Sequence, residues 1–340
     1  MSTQTDIIEK DVAIIGAGPS GLFAVFECGM VGLSAVVFDS LADIGGQCSA
    51  LYPEKPIYDI PGLPAVMAAD LIANLEKQAA PFQPVYALGQ QIVSLSKEGG
   101  YWLLRSSTGA IAKVKAVIVA AGAGAFGPNR PPLEGLEQYE GTSVHYMVRR
   151  REDFRGKNIV IAGGGDSAVD WALSLSAVAS SVRLVHRRDK FKAAPESVRQ
   201  MDLLVKEGKI ELCVPYQLKA LEGDSRTLSA VMLADLDGRE KRLEADSLLL
   251  FYGLAMELGP IAEWGLSITH NHINVDPLTL ETNIAGIYAI GDIAAYDKKL
   301  KLILTGFHEA AMAAHAIRAR LNPGQNFHFE YSTTKGVPDS

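Results

Sequence analysis

Two glycine-rich turns, far apart in the chain and each set between an apolar strand and an apolar helix, restrict what this polypeptide can fold into more than any other feature. In the first, residues 11–15 read as a short buried strand, Gly16, Gly18 and Gly21 punctuate a turn that also holds Pro19 and Ser20, and residues 34–39 read as the next strand. The second repeats that grammar, with strand Asn158–Ala162, a turn containing Gly163, Gly165, Asp166, Ser167 and Ala168, a helix over residues 169–179, and strand Ser181–Val185. Short apolar runs bounded by glycine and followed by a helical period mark a βαβ unit. The first glycine permits a tight turn, and the second lets backbone approach a pyrophosphate at the helix N-terminus. The third, for which alanine is an accepted variant, lets the helix pack closely on the strand. One such turn alone is a weak signal; two with their flanking strands predict two dinucleotide-binding domains.

The ends of the two second strands carry opposite charge. Counting 23 residues from Gly16 reaches Asp39, and the same count from Gly163 reaches His186, which Arg187 and Arg188 follow. A carboxylate at that position accepts hydrogen bonds from both ribose hydroxyls of an adenosine and repels a 2′-phosphate. Guanidinium forks grip such a phosphate, and Lys192 adds a further cation nearby. Elsewhere the run from His186 to Lys190 would read as solvated surface; at this spacing the phosphate reading prevails. Two fingerprints imply either two bound dinucleotides or a duplicated fold with one site idle. FAD at the acid-ended site and NADP(H) at the basic one would give the pair a joint task, hydride transfer from nicotinamide to flavin.

Composition fits such an enzyme and excludes several other classes. At 340 residues the chain exceeds what one hydrophobic core usually serves, which points to two domains. Its 48% hydrophobic and 21% charged residues are those of a globular protein, and a net charge of -7 argues against nucleic-acid binding. Cys28, Cys48 and Cys213 have no spacing of a redox or metal pair, so they read as small buried apolar residues and no metal site is expected. Residues 12–38 are apolar enough to suggest a membrane span, but their glycines and second β-branched run divide them into strand, helix and strand. The opening residues lack a basic segment followed by an apolar run, so no secretory signal is expected and the expected location is cytoplasmic.

Other segments fit no generic dinucleotide-binding protein. Residues 45–62 read Gly-Gly-Gln-Cys-Ser-Ala-Leu-Tyr-Pro-Glu-Lys-Pro-Ile-Tyr-Asp-Ile-Pro-Gly, and residues 286–292, Gly-Ile-Tyr-Ala-Ile-Gly-Asp, precede a helical segment expected from about Gly306 to Leu321. With both glycine turns, and over nearly the whole chain, these resemble the thioredoxin-reductase-type ferredoxin(flavodoxin)–NADP reductases. That resemblance implies an α/β protein with the disulfide-reductase-like flavoprotein fold, made of two Rossmann-like three-layer ββα domains. The FAD domain would be discontinuous, residues 1–122 and 255–340, with the NADP domain, residues 123–254, inserted into it. The sequence agrees: residues 116–122 read as a strand ending in glycine before a proline-rich stretch, and residues 247–252 end similarly at Gly253.

The resemblance also implies roles. Gln47 and Tyr52 touch the flavin, with Tyr52 stacked on one ring face; the backbone at Ile92 reads the adenine; Phe126 lies at the domain crossing beside the ring; Asp292 accepts a hydrogen bond from the ribitol. A buried Asp292 without such a partner would be costly. The late helix would aim its positive end at the pyrimidine edge of the flavin. Phe327, Phe329 and Tyr331 recur at period two, hence on one side of an extended tail. The resemblance implies that this tail covers the second flavin face, with Tyr331 stacked there and Ser332 and Thr333 near the ring, where a chain end would otherwise fray.

A thioredoxin reductase needs a Cys-x-x-Cys shortly before the second glycine turn; residues 146–150 here are Tyr-Met-Val-Arg-Arg. Without a sulfur relay, electrons must leave the flavin directly, and no side chain need act as acid, base or nucleophile. The implied reaction is reversible: FAD accepts hydride from NADPH and passes single electrons to a ferredoxin or flavodoxin. Such partners are acidic. Arg149, Arg150 and Arg151 with Arg155 and Lys157, and Lys298 and Lys299 with Lys301, are candidate docks, though basic runs are commonly only solvated surface. A homodimer is implied by the resemblance alone. Two other readings stay open, an NADPH-dependent flavin oxidase or diaphorase with another acceptor, and a non-catalytic FAD/NADP redox sensor.

Overall fold

The computed structural model describes residues 7–122, 124–224, 226–324 and 336–338. The chain divides into two compact units, residues 1–126 with 256–340, and residues 127–255. The connecting stretches, Ala125–Pro128 and Leu254–Glu257, form a two-stranded sheet.

The first unit is organised by a parallel sheet with strands in the order Ile287–Ala289, Ala116–Val119, Val12–Ile15, Ala35–Phe38 and Val85–Ala87. Its three middle strands are buried on both faces, which is why their sequences are unbroken apolar runs rather than alternating ones. Successive side chains still go to opposite sides. Val12, Ile14, Val37 and Ile118 pack against Ala24, Val25 and Cys28 of helix Pro19–Met30 and Ala310, Ala313 and Ile317 of helix Ile303–Leu321. Ala13, Val36, Phe38, Val117 and Val119 instead meet Trp102, Leu104, Ala112 and Val114 of a four-stranded sheet, Ile7–Glu9, Ile111–Val114, Tyr101–Ser106 and Ile92–Glu98. The result is a helix layer, a parallel sheet and a second sheet.

The second unit repeats this construction. Strands Val144–His145, Ser247–Leu250, Asn158–Ala162, Ser181–Val185 and Ile210–Cys213 lie in that order, all parallel. Ile159, Ile161 and Leu184 face helix Asp166–Leu175 through Val169, Ala172 and Leu175, whereas Val160, Ala162 and Leu248 face an antiparallel sheet, Gln217–Asp224, Thr227–Ala234 and Glu240–Glu244, through Val231, Leu233 and Leu243. Both units are the three-layer ββα sandwiches that the resemblance implies. Among the described residues no helix is long and apolar enough to cross a membrane.

Two helix boundaries differ from the sequence reading. The late helix begins at Ile303, not near Gly306, and Gly306 lies inside it because a side chain there would stand 2.1 Å from Ser20 Oγ. The helix after the second turn spans Asp166–Leu175 rather than residues 169–179, since the turn residues themselves open it and Gly156 N–H already bonds to the carbonyl of Val178.

Asp11 ties three strands of the first unit together. Its Oδ2 accepts from Ser34 N (3.0 Å) and Ser34 Oγ (2.7 Å), and its Oδ1 accepts from Lys115 Nζ (2.8 Å). Burial pushes this carboxyl up, but the bonds from Lys115 and Ser34 outweigh it and hold the group below its ordinary value of 3.8. An acid depressed in the fold contributes stability that is present above its unfolded pKa and lost as pH falls through the folded one. Lys115 is exposed, so the contribution is below about 1 kcal/mol. Asp11→Asn is therefore expected to melt slightly lower at neutral pH and to lose less Tm than the native chain between about pH 4 and pH 2; parallel acid melts of the two proteins would contradict this.

Candidate functional sites

In the first unit the glycine turn has the shape a pyrophosphate needs. Gly16 is at φ +115°, and a Cβ on it would lie 2.3 Å from the carbonyl oxygen of Ala120. A Cβ on Gly21 would lie 1.9 Å from the carbonyl oxygen of Gly16, so helix Pro19–Met30 can sit this close to the strand only with glycine there. Gly18 borders open space, with nothing within 4 Å of where a Cβ would stand, and it caps the helix without any side-chain hydrogen bond. Uncapped first-turn N–H groups facing a side-chain-free space are what an anionic phosphate pairs with. Pro19 occupies the first turn of that helix, where its missing N–H costs nothing.

Asp39, 9% exposed, follows strand Ala35–Phe38 directly. Its Oδ2 accepts from Ala17 N at 2.6 Å and its Oδ1 from Leu41 N at 2.8 Å. Burial raises this carboxyl and the two backbone bonds oppose it. The residue is thus first a clasp between the second strand and the glycine turn. Each oxygen retains one further lone pair free to accept another donor.

Gln47 opens the short helix Gln47–Ala50, with its amide near Gly122 at the end of the central strands. Tyr52 is half-buried, and Cys48 Sγ donates to its hydroxyl at 3.7 Å. Burial, then the proximity of Cys48 and Asp292, push the Tyr52 phenol well above its ordinary range, so it stays neutral. Ile92 is buried and begins strand Ile92–Glu98 at a bulge opposite Ser106; two residues earlier, Gln90 N donates to the carbonyl of Asp39 at 2.8 Å. Asp292 lies between buried Gly291 and Ile293 and is itself exposed. Gln47, Tyr52 and Asp292 therefore gather near the first glycine turn. The side chain of Phe126, and Tyr331, Ser332 and Thr333, lie outside the described residues.

The second unit brings its predicted residues together by a fold that the sequence did not reveal. A Cβ on Gly163 would lie 2.6 Å from the carbonyl oxygen of Phe251, and one on Gly164 would lie 2.2 Å from the His186 ring. Gly165, bordering open space, caps helix Asp166–Leu175 without a side-chain bond. Ser167 and Ala168 follow in its first turn, with Ala168 buried against the strand. Residues 191–194 fold back along the turn, and the helix that follows is Pro195–Lys206. Lys192 N donates to the carbonyl of Gly164 at 2.7 Å, and Ala194 N donates to Asp166 Oδ1 at 2.8 Å. This return brings Lys192 beside Gly165, while Arg187 and Arg188 stand exposed just past strand Ser181–Val185. Burial, and then the two arginine charges, pull His186 below the ordinary histidine range, so at pH 7 it is neutral and adds no charge of its own.

The basic runs fare unequally. Arg149, Arg150 and Arg151 are exposed, with Arg150 on Asp153 (2.7 Å) and Arg155 on Glu152 (2.7 Å). Lys299 is no part of a surface dock: its side chain is 6% exposed and ion-paired with buried Glu309, which the sequence reading missed. All three cysteines are buried and free of disulfides, and burial pushes the Cys28 thiol up to about 12.

A family model described as "Pyridine nucleotide-disulphide oxidoreductase" matches residues 10–316. A "Ferredoxin--NADP reductase" of Granulibacter bethesdensis is 59% identical over 338 residues, 99% of this chain and 97% of that protein. Another protein of that name, from Paramagnetospirillum magneticum, is 60% identical over 331 residues, 97% of this chain and 98% of that one. Among solved structures, Lactococcus lactis thioredoxin reductase superimposes with a TM-score of 0.78 at 25% identity, covering 91% of this chain and 97% of that one. Full-length likeness at this level, with both glycine turns intact and no dithiol motif, leaves one assignment: the chain belongs to the pyridine nucleotide-disulphide oxidoreductase family, among its thioredoxin-reductase-like ferredoxin–NADP reductases.

Proposed function

We propose that this chain is a ferredoxin–NADP reductase whose first unit holds FAD and whose second holds NADP(H). The observation that carries the reading is the opposite charge beside two similar glycine turns, Asp39 on one and Arg187, Arg188 and Lys192 on the other. When bound, FAD converts between the two-electron chemistry of nicotinamide and the one-electron chemistry of an iron–sulfur protein.

The chain's residues bind and orient. Gly16, Gly18 and Gly21 shape the turn, Pro19 fixes the first residue of the helix, and the uncapped N–H groups that follow, from Ser20 on, face the FAD pyrophosphate, while Asp39 accepts from the adenosine ribose. The backbone at Ile92 meets the adenine, Asp292 accepts from the ribitol, and Gln47 lies at the ring edge. Tyr52, Phe126 and Tyr331 would enclose the ring and keep water from it, with Thr333 beside them. In the second unit Gly163, Gly165, Asp166, Ser167 and Ala168 form the pyrophosphate turn, and the three cations hold the 2′-phosphate. Because the carboxylate at the first site would repel a 2′-phosphate, each dinucleotide is directed to its own unit. No side chain supplies a proton or a nucleophile. The buried, unpaired cysteines support direct electron transfer to a protein acceptor, since a relay would need an accessible pair. A ferredoxin or flavodoxin is acidic, and the exposed Arg149, Arg150 and Arg151 are the dock it would use. The working form is a homodimer, as the family resemblance implies.

Anaerobic mixing tests this. NADPH is expected to reduce the purified yellow protein at a rate that NADH does not approach, and reduced protein is expected to pass electrons to a ferredoxin or flavodoxin but not to a small disulfide. Turnover with the acidic partner should fall steadily as salt rises. A protein that NADPH never reduces, or that prefers the disulfide, would overturn the proposal.

A further inference from the structure

Glu309 sits in the middle of helix Ile303–Leu321, beside Ala310, Ala313 and Ala314, and its side chain is 1% exposed. Its Oε2 accepts from Gly291 N at 2.6 Å; its Oε1 accepts from Tyr296 Oη at 2.8 Å and from the Lys299 ammonium. All three donors come from residues 291–299, the segment that begins at the Asp292 turn. Burial pulls Lys299 below the ordinary lysine range, while Glu309 and then Asp292 act against that. An apolar pair of the same volume would often be at least as stable in this position, so a buried ion pair calls for another explanation.

The geometry supplies one. Gly291, at φ +71°, immediately precedes Asp292, and a Cβ on it would meet Ser20 Oγ at 3.0 Å. Gly306, one turn before Glu309, is pressed on the same hydroxyl. The carboxylate of Glu309 thus grips a left-handed residue lodged between the glycine turn and Asp292. We propose that Glu309, with Lys299 as its counter-ion, is a positioning residue that holds Asp292 ready for FAD, acting through the Gly291 N–H. This rests on reading the first unit as the flavin site.

A double-mutant cycle on the full chain, with the FAD dissociation constant as readout, tests it. Glu309→Gln is expected to weaken FAD about tenfold or more in the native background and less than about threefold in the Asp292→Asn background, because coupled residues lose non-additively. NADP⁺ binding should stay unchanged in both. Equal losses in the two backgrounds, or a native-background loss below about twofold, would overturn the inference, since a merely structural role predicts additivity. If Glu309→Gln does not fold, Tyr296→Phe removes one donor to the same carboxylate and keeps the charge pair. It is expected to weaken FAD about threefold in the native background and not at all beside Asp292→Asn, and equal losses again refute the idea. A native protein that takes up no FAD would fail at the underlying reading, a result distinct from additivity.

Discussion

Gly21→Ala should yield a colourless protein whose second unit still binds NADP⁺. A methyl at this position would stand 1.9 Å from the carbonyl oxygen of Gly16 and 3.0 Å from its carbon. Both are backbone atoms, so no side chain can swing aside. Either the helix retreats from the strand or the turn opens, and each displaces the N–H groups that would face the pyrophosphate. A loss of FAD affinity of at least about 100-fold is expected, in the range of close-packing defects worth about 3 kcal/mol. Visible absorbance of the purified variant, compared with NADP⁺ titration of the same sample, separates a local from a global effect. Retention of flavin at native stoichiometry would show that this turn does not hold it.

Replacing Arg187 and Arg188 together by alanine should remove most of the preference for NADPH over NADH. Charge-assisted hydrogen bonds are worth about 1.5–3 kcal/mol each, and these exposed arginines belong near the lower end. The pair therefore predicts about a 100-fold fall in kcat/KM for NADPH, with NADH changed by no more than about threefold. Lys192, whose backbone is tied to Gly164, would account for what preference remains. An unaltered ratio of the two kcat/KM values would remove the phosphate assignment.

What could be read from the amino-acid order was governed by short-range grammar. Strands Asn158–Ala162 and Ser181–Val185, both glycine turns and the charge reversal between Asp39 and Arg187 are local patterns, and each unit is built around them. The misreadings share a different cause. Lys299 looked like its exposed neighbour Lys298 because nothing nearby in the chain announces that helix Ile303–Leu321 folds a carboxylate against it. Gly306 resembled a helix start because glycine usually ends regular structure; its reason for being there is Ser20, nearly the whole chain away. Residues 191–194 carried no sign of their return to Gly164, since that contact is made by backbone atoms. Spacing singled out Asp39, but its bonds to Ala17 and Leu41 show a clasping duty that spacing alone does not imply.

The insertion of residues 127–255 into the first unit has a consequence for how the molecule is made. Strand Ile287–Ala289 and helix Ile303–Leu321 leave the ribosome long after the strands they cover, so the older half of the parallel sheet waits with one face covered only by helix Pro19–Met30. The inserted unit is contiguous and complete well before then, reversing the usual order in which earlier segments fold first. Until the last helix emerges, the nascent protein is a finished inserted unit attached to an unfinished first one, and the waiting apolar surface is the part a chaperone would need to shield.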